Sequence, residues 1–98
     1  MVIVQVTFET ELSEDEVVRR AEARIEEFRA LPGLLQKYYI KLKQPNHYGG
    51  IYVWDSMESL AAFRQSELAK SIPGVYQVKG QPSIQVMDAF FPLRESAR

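Results

Sequence analysis

The stretch QPNHYGGIYVWDS, residues 44–56, contains a turn, a strand and the start of a helix in direct succession. Proline and asparagine within residues 44–46 predict the turn. The aromatic and β-branched run Tyr48–Trp54 predicts a strand, and Asp55 or Ser56 predicts the N-cap of the helix that follows. Apolar side chains occupy the consecutive positions 51–54, so both faces of this strand are apolar. We therefore expect the strand to be buried on both sides.

The chain before this stretch predicts two further strands. Val2–Thr10 alternates, with apolar side chains at the even-numbered positions up to 8, which is typical of a half-buried strand. Leu34–Lys43 predicts a second strand. Because only a short turn separates it from Tyr48–Trp54, the two are expected to form an antiparallel hairpin.

Two helices are predicted between the strands. Ser13, with Glu16 three residues later, matches a capping box, and this helix is expected to end near Leu31, before Pro32-Gly33. The second helix is predicted over Met57–Ala69. The apolar residues expected to face the sheet are Val18, Ala21, Ile25 and Phe28 in the first helix, and Met57, Leu60, Ala61 and Leu68, with Phe63 beside them, in the second.

The last part of the chain predicts one more strand. Pro73-Gly74 is expected to end the second helical region. Val75–Pro82 fits either a short strand or a loop, and Ile84–Phe91 predicts the final strand. The tail Pro92–Arg98 is polar and is expected to fray.

The predicted order is therefore β-α-β-β-α-β. This order is typical of a ferredoxin-like α+β fold, in which an antiparallel four-stranded sheet carries both helices on one face. We expect one domain over residues 1–98, with its core at about residues 2–92.

The second face of this sheet has no predicted cover. Residues 51–54 are apolar on both sides, and so is the last strand. A second copy of the chain packed sheet to sheet would bury the open face, so we predict a homodimer. The alternative is a monomer with some exposed apolar side chains.

Composition excludes several classes of protein. The 98 residues include no cysteine and one histidine, and the formal net charge is −1. No thiolate chemistry or cysteine-bound metal is available, and an all-protein transition-metal site is disfavoured. The charge balance disfavours nucleic acid and membrane surfaces as partners. No segment resembles a signal peptide or a membrane span, so a cytoplasmic location is expected.

Four segments, in order along the chain, resemble the landmarks of one known family. They are Pro32-Gly33-Leu34-Leu35-Gln36-Lys37, Asn46-His47-Tyr48-Gly49-Gly50-Ile51-Tyr52, Pro73-Gly74-Val75 and Val86-Met87-Asp88. Over about residues 2–92 the chain is similar to the bacterial YdhR-type mono-oxygenase family of the dimeric α+β barrel superfamily.

The resemblance implies a dimeric α+β barrel and a cofactor-independent monooxygenase acting on a small aromatic substrate, such as a phenol, a quinol or a polyketide-like compound. No cofactor and no metal are expected. Other relatives in the superfamily degrade haem or isomerise lactones. Haem degradation is disfavoured, because those relatives hold haem with a helical histidine and neither predicted helix here contains one.

Two residues are candidates for acid–base chemistry. His47 has an ordinary pKa of about 6.5, which suits a general base; the alternative is an exposed histidine in a turn. Asp88 interrupts an apolar strand and must be paired if it is buried, with Lys37 as a possible partner. The alternative for Asp88 is a structural ion pair. We predict His47 and Asp88 as the catalytic residues.

The aromatic residues are candidates for a substrate pocket between sheet and helices, where ring faces would sandwich a planar ligand. Tyr52 and Trp54 share one face of their strand and are the preferred pocket residues; the alternative is plain core and dimer interface. The predicted substrate-binding residues are Lys37, Tyr38, Tyr39, Asn46, Tyr52, Trp54 and Phe63. The same pocket would also serve a non-catalytic dimer that binds a small hydrophobic or aromatic metabolite, which is the alternative function.

Overall fold

The computed structural model describes residues 1–95. Within them the strands form one antiparallel four-stranded sheet in the order β2-β3-β1-β4. This confirms the predicted ferredoxin-like α+β fold. The elements are β1 (Val2–Glu9), α1 (Glu14–Glu22), α2 (Ile25–Arg29), β2 (Leu34–Lys41), β3 (His47–Trp54), α3 (Met57–Arg64), α4 (Glu67–Val75) and β4 (Lys79–Asp88).

Each predicted helical region is a pair of helices rather than a single one. α1 ends at Glu22, and α2 continues towards the predicted end near Leu31. α3 ends at Arg64, because Ser66 caps a new helix by accepting a hydrogen bond from the backbone N–H of Ala69 at 3.2 Å. In the described part of the chain, no helix combines the length and the apolar character needed to cross a membrane.

The predicted stop at Pro73-Gly74 is wrong, because both residues lie inside α4. A proline inside a helix removes a backbone hydrogen bond. Ile72, just before the proline, packs against the core residues around Trp54 and around Phe8, and Val75, just after it, packs against those around Phe8. This burial holds the last turn of α4 in place despite the proline.

The predicted apolar stripes are partly wrong. Val18 is 47% exposed, whereas Val17 is 8% exposed and packs in the core with Ala21, four residues later. Likewise Met57 is exposed. The position of each helix over the sheet decides which of two neighbouring apolar residues is buried, and the sequence pattern fits both.

The last strand begins and ends earlier than predicted. β4 pairs with β1, and this pairing stops where Asp88 lies opposite Val2. One further backbone hydrogen bond joins Ala89 N–H to the carbonyl of Met1, after which β1 offers no partner. Phe90, expected in the strand, is therefore beyond the sheet and 97% exposed. Residues 96–98 of the predicted tail lie outside the described residues.

The two faces of the sheet have different surroundings. On one face, Val2, Val4, Tyr52 and Trp54 pack against the helices and form the main core. The register of the strands places Ile3, Tyr38, Ile51, Val53 and Met87 on the opposite side, which we call the open face.

Candidate functional site

A cavity of about 370 Å³ lies between the helices and the β2–β3 half of the sheet. The strands contribute Lys37 and Tyr39 from β2 and Tyr52 from β3, and α4 with the residue after it contributes Ile72 and Tyr76. Its walls are largely apolar, which is typical of sites for small ligands.

Gly50 leaves room for the lysine in this cavity. A Cβ atom at Gly50 would lie 3.3 Å from Cε of Lys37 and 3.4 Å from Cε1 of Tyr52. The register places Gly50 opposite Tyr39, and Tyr52 opposite Lys37. The glycine therefore gives the lysine stem and the tyrosine ring space on the helix-facing side of β3.

Three aromatic rings surround the ammonium group of Lys37. Its Nζ lies 3.5 Å from the ring centroid of Phe28, 4.4 Å from that of Tyr39 and 4.6 Å from that of Tyr52. Tyr39 is two residues after Lys37 on the same face of β2. Tyr52 is the residue paired with Lys37 on the neighbouring strand β3, and Phe28 comes from α2. Ring faces attract a cation without neutralising its charge.

Among the described residues, Lys37 has no carboxylate partner to balance its charge. Burial, and then the nearby charge of Arg24, lower the pKa of Lys37 from its usual 10.5 to about 7. Of the ion pairs between residues 1 and 95, none includes Lys37. Near neutral pH this amine can therefore gain or lose a proton.

Three tyrosines of the cavity are held in their protonated form. Burial raises the pKa of Tyr39, Tyr52 and Tyr76. These hydroxyls can donate hydrogen bonds to a ligand oxygen, but they are poor bases at neutral pH.

A second cavity of about 220 Å³ adjoins the first and shares the walls Val6, Phe8, Tyr52 and Ile72 with it. Trp54 and Phe63 line this second cavity. Trp54 stacks on Tyr52 with the rings 5° from parallel and 6.3 Å between their centroids. The indole Nε1 of Trp54 is buried without a hydrogen-bond partner.

Four predicted site residues, His47, Asn46, Tyr38 and Asp88, lie away from both cavities. His47 is opposite Glu9 in the register, on the open-face side, and its Nδ1 is 2.9 Å from the carbonyl oxygen of Pro45. Asn46 is exposed in the turn, with φ at 66°. Tyr38 lies on the open face and is half exposed. Tyr39 and Tyr52 line the first cavity, and Tyr52, Trp54 and Phe63 line the second.

The proposed pairing of Asp88 with Lys37 is wrong. Lys37 is on β2 and Asp88 is on β4, and these strands form opposite edges of the sheet with β3 and β1 between them. Asp88 is exposed and lines neither cavity. The sequence places both residues in mid-strand, but only the strand order shows how far apart they are.

Phe28, Arg24 and Tyr76 belong to the site, although the sequence pattern does not single them out. Phe28 is expected in the core only. In the structure its ring centroid lies 3.5 Å from Nζ of Lys37 and 5.8 Å from the guanidinium carbon of Arg24. For the β2 part of the site the sequence does contain a signal: Lys37 and Tyr39 are two residues apart in a predicted strand, so their side chains share a face.

An open antiparallel sheet with helices on one face, and an aromatic cavity between the two layers, defines an α+β protein with a candidate site for a small ligand. A family profile described as "Putative mono-oxygenase ydhR" matches residues 3–87. The chain therefore belongs to the ydhR mono-oxygenase family. This confirms the resemblance seen in the sequence. A search of curated proteins finds no match.

Solved structures share the fold at low sequence identity. SnoaB, a cofactor-independent oxygenase from Streptomyces nogalater, is 14% identical over 96% of this chain and 97% of its own, with a TM-score of 0.76. NE2512, a protein of unknown function from Nitrosomonas europaea, is 13% identical over 93% and 90%, also at 0.76. A "putative antibiotic biosynthesis monooxygenase" from Deinococcus radiodurans is 18% identical over 96% and 97%, at 0.71. The TM-scores show a common fold.

Proposed function

We propose that the first cavity is the substrate site of a cofactor-independent monooxygenase acting on a small aromatic compound with an ionisable hydroxyl, such as a phenol, a quinol or a polyketide-like molecule. The observation that carries the proposal is the aromatic cavity of about 370 Å³ with a titratable lysine in its wall. Membership of the ydhR family and the name of SnoaB support the class of reaction.

In this chemistry the substrate supplies the electrons. Once deprotonated, an electron-rich aromatic anion reduces O₂ directly. In an anthrone, a CH₂ group becomes a carbonyl, one oxygen atom enters the product and the other leaves as water. The protein contributes a dry site, a base and orientation. Tyr39 and Tyr52 contribute ring faces for the substrate and hydroxyl donors for its oxygen atoms.

The assignment of the base to His47 or Asp88 stays a prediction. Neither side chain lines the cavities in the described structure. If either acts as the base, His47→Ala or Asp88→Asn lowers kcat by about 100-fold, the usual scale for removing a general base. Unchanged rates in both variants rule the assignment out.

The proposed function is tested by oxygen uptake. Purified protein is mixed with a panel of hydroquinones and anthrones, and O₂ consumption is followed with an electrode. We expect turnover of at least one phenolic substrate and about a tenfold loss of kcat/KM in Tyr39→Leu, which removes one ring and one hydroxyl from the cavity.

Phe91→Leu is the matched control, because Phe91 is exposed and lies beyond β4, away from both cavities. Thermal stabilisation by the same compounds without oxygen uptake would contradict the proposed activity and favour the alternative, a metabolite-binding protein.

We propose in addition that the active unit is a homodimer joined through the open face. The apolar side chains on that face, among them Ile51 and Val53, support this proposal. The predictions of a single domain, of a cytoplasmic location and of no nucleic-acid partner stay predictions.

A further inference from the structure

We propose that Lys37 is the catalytic base of this site: it accepts the proton of a phenol or enol and then holds the resulting oxyanion as an ion pair. This inference rests on the proposed function and identifies the ionised oxygen of the substrate as the group that the cavity recognises.

The geometry around Nζ fits the product of the proton transfer. The rings of Phe28, Tyr39 and Tyr52 have their centroids between 3.5 and 4.6 Å from Nζ. The electrostatic attraction of a ring face is strong only for a charged group, here the ammonium. The neutral amine gains little from these faces, whereas the ammonium gains much more. The cage therefore stabilises the state that forms when the lysine takes a proton.

The charge around the site fits an anionic ligand. Arg24 is a second cation close to Phe28, and its Nη1 is buried without a hydrogen-bond partner. Two carboxylates from α1, Glu14 and Glu22, also line the cavity, but Glu14 binds Lys41 at 3.0 Å. In the part of the chain that the structure describes, no carboxylate lies within ion-pair distance of Lys37. An oxyanion in the cavity would supply the missing negative charge.

Most other ionisable groups facing the cavity are less suited to the role. Glu14 is paired with Lys41, and Glu22 is exposed on α1. Tyr39, Tyr52 and Tyr76 hold their protons because burial raises their pKa values. Lys41 is exposed and engaged by Glu14. The lowered pKa of Lys37 supports the choice, because an amine with a pKa of about 7 is half deprotonated at neutral pH.

The proton transfer balances within the proposed reaction. The substrate O–H bond breaks, a new N–H bond forms on the neutral Nζ, and the products are an oxyanion and an ammonium ion. The carbon that carries the negative charge then bonds to O₂, and the proton on Lys37 passes to the outer oxygen to give a hydroperoxide. The O–O bond and the remaining C–H bond of that carbon break together, so the carbon becomes a carbonyl and the outer oxygen leaves as water with both hydrogens. The lysine returns to the neutral amine for the next turnover.

The first experiment measures ionisation without turnover. A nitrophenol, whose anion absorbs visible light, is titrated with pH in the presence of wild-type protein, Lys37→Met, Lys37→Arg and Lys43→Met. Lys43 is an exposed lysine just after β2 and serves as the matched control. We expect the bound dye to ionise at lower pH on the wild type, on Lys37→Arg and on Lys43→Met, and to lose this shift on Lys37→Met.

The second experiment measures oxygen uptake against pH. For the wild type we expect kcat/KM to rise through about pH 7 as Lys37 loses its proton, and both Lys37→Met and Lys37→Arg to lose about 100-fold. Phe28→Leu removes one ring of the cage, so the ammonium is less stabilised and the midpoint of the profile moves to lower pH. If Phe28 only covered the lysine, its loss would move the midpoint to higher pH, because burial is the main cause of the lowered pKa.

The outcomes separate the two proposals. Oxygen uptake that keeps its rate and pH profile in Lys37→Met overturns the inference and leaves the proposed function intact. A Lys37-dependent shift of the dye with no oxygen uptake from any phenol overturns the proposed function, and the oxyanion site stands. Loss of the dye shift in Lys43→Met as well would overturn the inference. Circular dichroism of each variant shows that it is folded.

Discussion

Lys37 is surrounded by aromatic rings where most buried lysines have a carboxylate. Removing a charge from water costs free energy, and the attraction of ring faces recovers only part of that cost. The site therefore keeps a group whose charged form is poorly stabilised, as expected of a functional residue rather than of a stabilising one. At the residue scale, the rings that surround Nζ of Lys37 determine how well its charged form is stabilised.

The pH dependence of stability tests this account of Lys37. Its pKa is lowered in the folded protein, so between about pH 7 and 10.5 the unfolded chain holds a proton that the folded chain lacks. Stability therefore rises with pH across this window, and the cost of the lysine is greatest below pH 7. We expect Lys37→Met to be more stable than the wild type at pH 6, by up to about 5 kcal/mol, because a pKa lowered from 10.5 to about 7 costs about 1.4 kcal/mol for each pH unit.

This advantage of Lys37→Met should shrink as the pH rises towards 10, and urea unfolding at several pH values measures it. A difference that stays constant with pH would show that the pKa of Lys37 is the same in the folded and unfolded chains. The exposed Lys43→Met gives the baseline.

Among the elements, β3 pairs with both β1 and β2 and contributes side chains to both faces of the sheet. Its even-numbered positions give the core and both cavities, and its odd-numbered positions give the open face. The β1 backbone leaves no room for a side chain at Gly49: a Cβ atom there would be 2.0 Å from the carbonyl oxygen of Val6 and 3.0 Å from Cα of Thr7. Backbone atoms cannot move aside as a flexible side chain can, so this position requires glycine.

Gly49→Ala should therefore separate the two strands and lower the free energy of unfolding by about 3 kcal/mol, the upper range for overpacking. Gly74→Ala is the matched control, because its Cβ would meet nothing within 4 Å and the residue lies in α4. Alanine in a helix is favoured over glycine by up to about 1 kcal/mol, so this change should be neutral or stabilising. Urea unfolding of both variants makes the comparison, and equal stabilities would contradict the account of Gly49.

At the scale of the whole molecule, the helices cover one face of the sheet and leave the other uncovered. Ile3, Val53 and Met87 are neighbours across three strands of the open face, and Ile51 lies beside Tyr38. Gln5, Gln36 and Gln85 lie beside these residues on the same face. A cluster of exposed apolar side chains rimmed by polar ones usually marks an interface. A second copy of the chain would bury the same surface on both partners.

A single charge at the centre of that surface should break the proposed dimer. In Ile51→Asp the carboxylate would be buried in the interface without a partner, so we expect a monomer by size-exclusion chromatography with light scattering, where the wild type elutes as a dimer. Met57→Asp is the control: Met57 is exposed at the first position of α3, where an acidic residue suits the helix dipole. A monomeric wild type would contradict the proposal.

The sequence by itself determined the order of strands and helical regions, the hairpin of β2 and β3, the cap at Ser13, a second cap at Asp55 or Ser56, and the family. These features depend on neighbours in the chain: alternation defines a strand, and a hydroxyl three residues before a free amide defines a cap. The fold class followed from that order, because few topologies accommodate it.

Only the tertiary structure decided which residues meet at the site. Phe28 reaches Lys37 from α2, and Tyr52 reaches it through the register of β2 on β3. The strand order places Asp88 at the far edge of the sheet. The packing of the helices buries Val17 rather than Val18. Each of these outcomes depends on contacts between segments distant in sequence, where several arrangements satisfy the same local pattern and the packing of the whole core selects one.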